Sequence, residues 1–163
     1  MKNMLFLLLF CSVVSVTSEV NAAESDCFEL AGQDARIEPD LLRAIAWHES
    51  RLNTKAIGDN ALAGFSPGFG IGLMQIDSQH LGFLSQYGLD SKNLSADICL
   101  NIYAGAYFLA IAFNRLGDSW EAVGAYNAGF SKSPAQEKRR RDYIRRIKLS
   151  YKEIKLTAIH RGR

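Results

Sequence analysis

Metal-binding patterns are missing from this chain of 163 residues. Its three histidines, His48, His80 and His160, are scattered, and its three cysteines, Cys11, Cys27 and Cys99, stand far apart, so no ligand spacing emerges. His48-Glu49 begins like the helical zinc signature of metalloproteases, but position 52 is Leu where the second histidine ligand is needed. Nucleotide chemistry lacks its frame as well. Gly68, Gly70 and Gly72 have the wrong spacing for a phosphate loop and no strand-helix-strand unit around them, which leaves them the plain role of backbone freedom beside a cleft. Little in the chain resembles a sheet, and there is no internal repeat, low-complexity segment or interdomain linker.

Long apolar runs are equally scarce outside the N-terminus. Met1-Lys2, the run from Met4 to Val16 and the small-residue site Val20-Asn21-Ala22 predict a secretory signal peptide over residues 1–22, too short to span a membrane. Cleavage after Ala22, or after the neighbouring Ala23, leaves residues 23–163 as one domain long enough for a sizeable core. A lipid-modified Cys11 is disfavoured by the bulky Phe10 before it. The formal net charge of +2 survives cleavage, because Lys2 and Glu19 leave together. Cys27 and Cys99 are then the remaining cysteines, and in an exported protein they most simply form one disulfide. Closing so long a loop contributes roughly 4 kcal/mol in the chain-entropy model.

What the mature chain does contain is helix signals. A first short helix carries Cys27, Leu30 and Ala31 behind a Ser25-Asp26 cap, and a second begins at Pro39 with Asp40 in its first turn. Asn53 to Gly72 reads as a loop of functional length. Ser78 to Tyr87 predicts a short helix ending at Gly88. Leu94-Ser95 opens the most apolar segment, with Ile98, Ile102, Ala106, Leu109 and Phe113 at helical spacing and Gly117 as the stop, which makes it the central core helix. Ser119 caps a helix holding Trp120, Val123 and Tyr126 that breaks at Gly129. Ser133-Pro134-Ala135-Gln136 opens a last helix through about Leu156, with Tyr143, Ile147, Tyr151 and Ile154 on its core side.

Glu49 is the residue on which the chemistry turns. Leu42, Ile45, Ala46 and Glu49 fall at i, i+3, i+4 and i+7, so a carboxylate continues the stripe that faces the core. Desolvation there raises its pKa, as a general acid working near neutrality requires. The plainer reading leaves Glu49 in water one turn past the buried region, paired with Arg51 or Lys55. The run Lys138-Arg139-Arg140-Arg141 with Arg145 and Arg146 reads as a solvated face, or as a patch for an acidic polymer or membrane surface, in preference to a nucleic-acid site.

Three segments change the weight of these readings. Glu49-Ser50-Arg51-Leu52-Asn53, Gly72-Leu73-Met74-Gln75-Ile76 and Ala125-Tyr126-Asn127-Ala128-Gly129 stand in an order and approximate spacing that resembles the soluble lytic transglycosylase (SLT) family, a lysozyme-like group. Asn101-Ile102 with Gly105, Ala106 and Tyr107, and Tyr143-Ile144 with Ile147, extend the resemblance from Cys27 to about Ile147. Asp26-Cys27-Phe28, Asp77-Ser78-Gln79-His80 and Trp120-Glu121-Ala122-Val123-Gly124-Ala125 make it most similar to the small single-domain members of the IagB/IpgF type that accompany specialised secretion systems.

The resemblance implies a mainly α, single-domain, lysozyme-like fold with a cleft, acting in the periplasm on peptidoglycan glycan strands without metal or organic cofactor. Glu49 matches the family's single catalytic acid, which protonates the glycosidic oxygen between N-acetylmuramic acid and N-acetylglucosamine while the substrate's acetamido group assists. As a carboxylate it would then activate the muramic acid 6-hydroxyl to close a 1,6-anhydro ring. Ser50 matches the residue that orients the acid, Gln75 an amide lining the cleft, Met74 the apolar wall before it, and Tyr126 and Asn127 a sugar-contacting pair. Tyr143 is expected close to Glu49, and Ser66 stands for the Ser ahead of Gly-Leu-Met-Gln. The strand would lie in a groove between the Glu49 helix, the Gly-rich loop and the Tyr126 turn. The implied partners are the glycan itself and components of a type III or type IV secretion or pilus apparatus; the protein is expected to be a monomer, not an integral membrane protein. Asp77, where many larger relatives have Met, would offer with Asp59 or Asp97 a second carboxylate for ordinary hydrolysis. A catalytically weak peptidoglycan-binding adaptor is the alternative outside enzymes.

Overall fold

A short helix and a proline-started helix come first in the structure, a computed structural model that describes residues 27–60 and 67–161. The expected signal peptide, the Ser25-Asp26 cap and Ser66 lie outside the described residues. Helix α1 occupies residues 27–35 and buries Cys27, Phe28 and Ala31 on one face, leaving Leu30 52% exposed. Arg36 takes a left-handed conformation (φ 56°) and turns the chain into α2 (Pro39–Ser50). Leu42, Ala44, Ile45 and Ala46 are buried on α2, and Arg43 ties it to α1 through Glu29 at 2.8 Å. The last turn of α2 ends where Arg51 adopts φ 55°.

The stretch expected to be loop contains strands. β1 (Ile57–Asp59), β2 (Phe69–Ile71) and β3 (Ile76–Asp77) form an antiparallel sheet in that order, with Gly58 opposite Gly70 and Ile71 opposite Ile76. Strands of two or three residues, β1 and β2 with glycine at the centre, are too short for an alternating pattern, so no period-2 signal exists to be read.

After β3 a 3-10 turn (Ser78–His80), α3 (Leu81–Leu84) and a second 3-10 turn (Ser85–Tyr87) replace the single short helix expected, and Gly88 ends them at φ 75°. Leu94-Ser95 does not open the central helix. Leu94 and Ser95 belong to α4 (Ser91–Ala96), closed at its start by a reciprocal Asp90–Asn93 capping box, and α5 (Ile98–Leu116) begins behind Asp97, whose carboxylate accepts from the Leu100 amide at 2.9 Å. Ser95 is engaged inside α4, its Oγ donating to Ser91 O at 2.6 Å, and Asp97 takes the cap. α6 (Trp120–Ala128) has the Ser119 cap and Gly129 stop, and α7 (Pro134–Arg161) the Ser133 cap, running past Leu156.

α5 is long and apolar enough to cross a membrane by length and composition, yet it buries Ile102, Ala106 and Leu109 within the fold. Those side chains, with Leu42 and Ile45 of α2, Tyr143 and Ile147 of α7, and Leu73, Met74 and Ile76 between the strands, make one core. α7 packs along both α6 and α2. Cys27 and Cys99 are bonded, fastening α1 to the first turn of α5 with their Cα atoms 5.2 Å apart.

Candidate active site

The core-facing stripe of α2 delivers Glu49 to the α7 surface. The Tyr143 hydroxyl, on a fully buried side chain, donates to Glu49 Oε1 at 2.6 Å. Burial pushes the carboxyl from the ordinary 4.5 up to about 7, against the Tyr143 hydrogen bond and the Arg146 charge, which both favour the carboxylate. Glu49 as a residue is only partly exposed, and the contact that holds it is Tyr143, not the solvated pairing with Arg51 or Lys55. Arg51 instead lies over the Trp47 ring at 5.2 Å. Burial also holds the Tyr143 and Tyr126 hydroxyls well above their ordinary range, with the charge of Glu49 adding to it, so both remain donors.

Gly72-Leu73-Met74-Gln75 is fixed to the helices around Glu49 by main-chain groups. Ser50 Oγ donates to Leu73 O at 2.8 Å, and Tyr126 Oη donates to Met74 O at 2.8 Å. Ser50 therefore reaches the loop, not the acid beside it. Asn101, buried on α5, accepts from the Met74 amide at 2.7 Å and donates to Ile71 O and Leu94 O, each at 3.0 Å. The Met74 side chain rests on Gly105, where an added Cβ would stand 2.6 Å from Met74 Cε. Gln75 has φ 51°, and its Nε2 donates to Gly72 O at 2.8 Å and Ala56 O at 3.2 Å. Its Oε1 lies against Gly58 and Gly70, where a Cβ would come within 2.2 and 2.4 Å respectively. Asn127 follows Tyr126 on α6, partly exposed.

The structure thus brings Glu49, Tyr143, Tyr126, Met74 and Ser50 into one connected arrangement and sets Gln75 at the adjoining sheet. Asp77 is engaged elsewhere, accepting from the Gln79 amide at 2.9 Å, and Asp97 caps α5. Among the described residues, the groups acting on the ionisation of Glu49 are Tyr143 and Arg146, neither a carboxylate. Asn101 was legible as a polar residue on the apolar stripe of α5, three positions after Ile98, but not as the clamp on the loop. His48 and Arg146 gave no signal as a pair: Arg146 Nε donates to His48 Nε2 at 3.3 Å across α2 and α7. The basic run also divides. Arg140 is buried and donates to Gly129 O at 2.8 Å, and Lys138 and Arg145 pair with Asp142.

The transglycosylase SLT domain model matches residues 26–148. The chain belongs to this family. As an SLT-domain protein it is a peptidoglycan lytic transglycosylase by class. It is 54% identical to the X polypeptide of Escherichia coli over 131 residues, 80% of this chain and 75% of that one. It is 38% identical to the invasion protein IagB of Salmonella typhimurium over 146 residues, 90% of this chain and 88% of that one. Its fold is similar to that of an inactive mutant of the lytic transglycosylase Slt from Pseudomonas aeruginosa, with a TM-score of 0.56 at 18% identity over 77% of this chain and 22% of that longer one. The SLT match spans α2, the sheet, α5, α6 and the part of α7 that bears Tyr143, so every residue of the arrangement around Glu49 lies within it.

Proposed function

We propose that Glu49 serves this lytic transglycosylase as acid and then as base. Protonated Glu49 delivers its proton to the glycosidic oxygen between N-acetylmuramic acid and N-acetylglucosamine as that bond breaks, and the substrate acetamido group holds the developing cation. The carboxylate then takes the 6-hydroxyl proton as that oxygen closes the 1,6-anhydro ring, which restores Glu49 for the next turnover. The observation that carries this reading is the isolation of the carboxyl: raised to about 7, held by Tyr143, with no carboxylate of the described residues among the groups acting on it. An acid poised near neutrality gives and takes a proton with similar ease. Gln75, Tyr126 and Asn127 are proposed to line the groove, with Met74, fully buried against Gly105, backing it from the core and Ser50 and Tyr143 positioning the loop and the acid.

Peptidoglycan places the site of action outside the cytoplasm; export to the periplasm through residues 1–22 is the finer reading. Similarity to a protein named for invasion supports local opening of the wall for a secretion, pilus or conjugation apparatus. Mass spectrometry of fragments released from purified sacculi by the wild type and by Glu49→Gln tests the chemistry. Anhydromuropeptides from the wild type alone are expected. Reducing ends would replace the proposal with hydrolysis, and binding without release by either protein would replace it with an adaptor.

A further inference from the structure

Glu49 and Tyr143 have neighbours that repeat their geometry. His48 precedes Glu49 on α2, Arg146 follows Tyr143 by three residues on α7, and the Arg146 Nε–H donates to His48 Nε2 at 3.3 Å. The His48 ring meets the Tyr143 ring edge-on, with centroids 5.3 Å apart and planes at 83°. The two helices are therefore clasped twice, Tyr143 to Glu49 and Arg146 to His48, with the aromatic contact joining the two bonds. We propose that His48 and Arg146 are positioning residues for the acid, His48 anchoring the guanidinium at a fixed place beside Glu49 and bracing the Tyr143 ring that orients the carboxyl. The inference rests on Glu49 being the working acid.

The chemistry of the pair fits an anchor. An Nε2 that accepts leaves the single ring proton of neutral histidine on Nδ1. Burial, then the charges of Arg146 and Arg51, hold His48 down at about 4, so it remains an acceptor over the range in which Glu49 titrates. Arg146 is exposed and unbranched, with several torsions to order; without His48 its charge would spread over many positions. Facing Glu49 are Tyr143 and Arg146 from α7 and Tyr126 from α6; Arg51 lies beyond the end of α2, and Asp142 beside Arg146 on α7.

Carbon-13 titration of the Glu49 carboxyl in the full mature chain tests this without turnover. Arg146→Gln is expected to weaken Glu49 as an acid by ~3-fold to 10-fold, a rise of roughly 0.5 to 1 in pKa. His48→Leu, which changes no charge above pH 5, is expected to produce the same rise by releasing Arg146. The double variant should move no further than either single, and His48→Gln, whose amide oxygen can accept, should stay near wild type. On soluble glycan chains the Arg146→Gln and His48→Leu variants should lose kcat severalfold with KM within twofold. A Glu49 titration unmoved by His48→Leu, or shifts that add in the double variant, would overturn the clasp. Should the wild type release no anhydro product, the proposed function fails, and the titrations still decide whether the clasp exists.

Discussion

A carboxyl whose pKa is raised by burial must weaken the fold that holds it, and Glu49→Gln measures by how much. The ordinary value is 4.5 and the folded value about 7. Below pH 4.5 both folded and unfolded chains carry the proton, and burial costs the native state nothing through ionisation. Between 4.5 and 7 the unfolded chain releases its proton while the folded chain keeps it, so stability falls as pH rises, by about 1.4 kcal/mol per pH unit. Above 7 both have ionised and the loss levels at about 3 kcal/mol, an order-of-magnitude figure. Gln cannot ionise, and its carbonyl oxygen can still accept from Tyr143. The variant should therefore be more stable than wild type by a margin that grows by about 3 kcal/mol from pH 4 to pH 8. Taking the difference between the two proteins cancels every other titrating group, including His48, whose lowered pKa acts in the opposite sense by removing stability as pH falls from 6.5 towards 4. Urea unfolding at five pH values gives the margin directly. A margin that stays constant with pH would show that the Glu49 carboxyl is not desolvated, and the argument for a neutral-range acid would fall with it.

Asn101→Ala should lower stability by about 3 to 5 kcal/mol, because the Met74 amide and the Ile71 and Leu94 carbonyls lose a partner in the core; a thermal midpoint within a few degrees of wild type would show that those groups rehydrate. Gly70→Ala would place a Cβ 2.4 Å from Gln75 Oε1 and so displace the Gln75 side chain from Gly72 O and Ala56 O. It should cost about 1 to 3 kcal/mol of stability and, if Gln75 lines the groove, most of the glycan-cleaving rate; a folded variant of full activity would remove Gln75 from the groove.

Helix ends were readable wherever a residue does one physical job. Pro39 at the start of α2, Ser119 before α6, and glycines 88, 117 and 129 at positive φ all mark boundaries from local chemistry alone. Sequence signals misplace the start of α5 at Leu94-Ser95: Leu94 is buried on the preceding helix α4, and the Asp97 carboxylate takes the cap. The sheet was invisible for a different reason. Its strands are held by register across Gly58 and Gly70 and by the Gln75 amide bridging to Ala56, contacts between segments, with no periodicity inside any of them. Glu49 showed itself by its place on an apolar stripe, but that its partner is a tyrosine 94 residues later followed only from the family resemblance.

The polar residues around the acid divide by what they hold. Tyr126, Ser50 and Asn101 all end on main-chain groups of Leu73, Met74 or Ile71, so their side chains fix a segment of backbone and leave no charge near Glu49. Among the described residues, Tyr143 bonds the carboxyl and Arg146 acts on it with a full opposite charge. Desolvation by itself would favour the protonated acid too strongly for it to return as a base; the Tyr143 bond and the Arg146 field pull the other way and bring the balance to about 7. A second carboxylate close by would push the value further up and hold Glu49 protonated through the step in which the proposed mechanism has it take a proton. Among the described residues no carboxylate is one of the groups acting on Glu49, which suits the proposed use of one residue as acid and then base and differs from the paired acids of an inverting hydrolase.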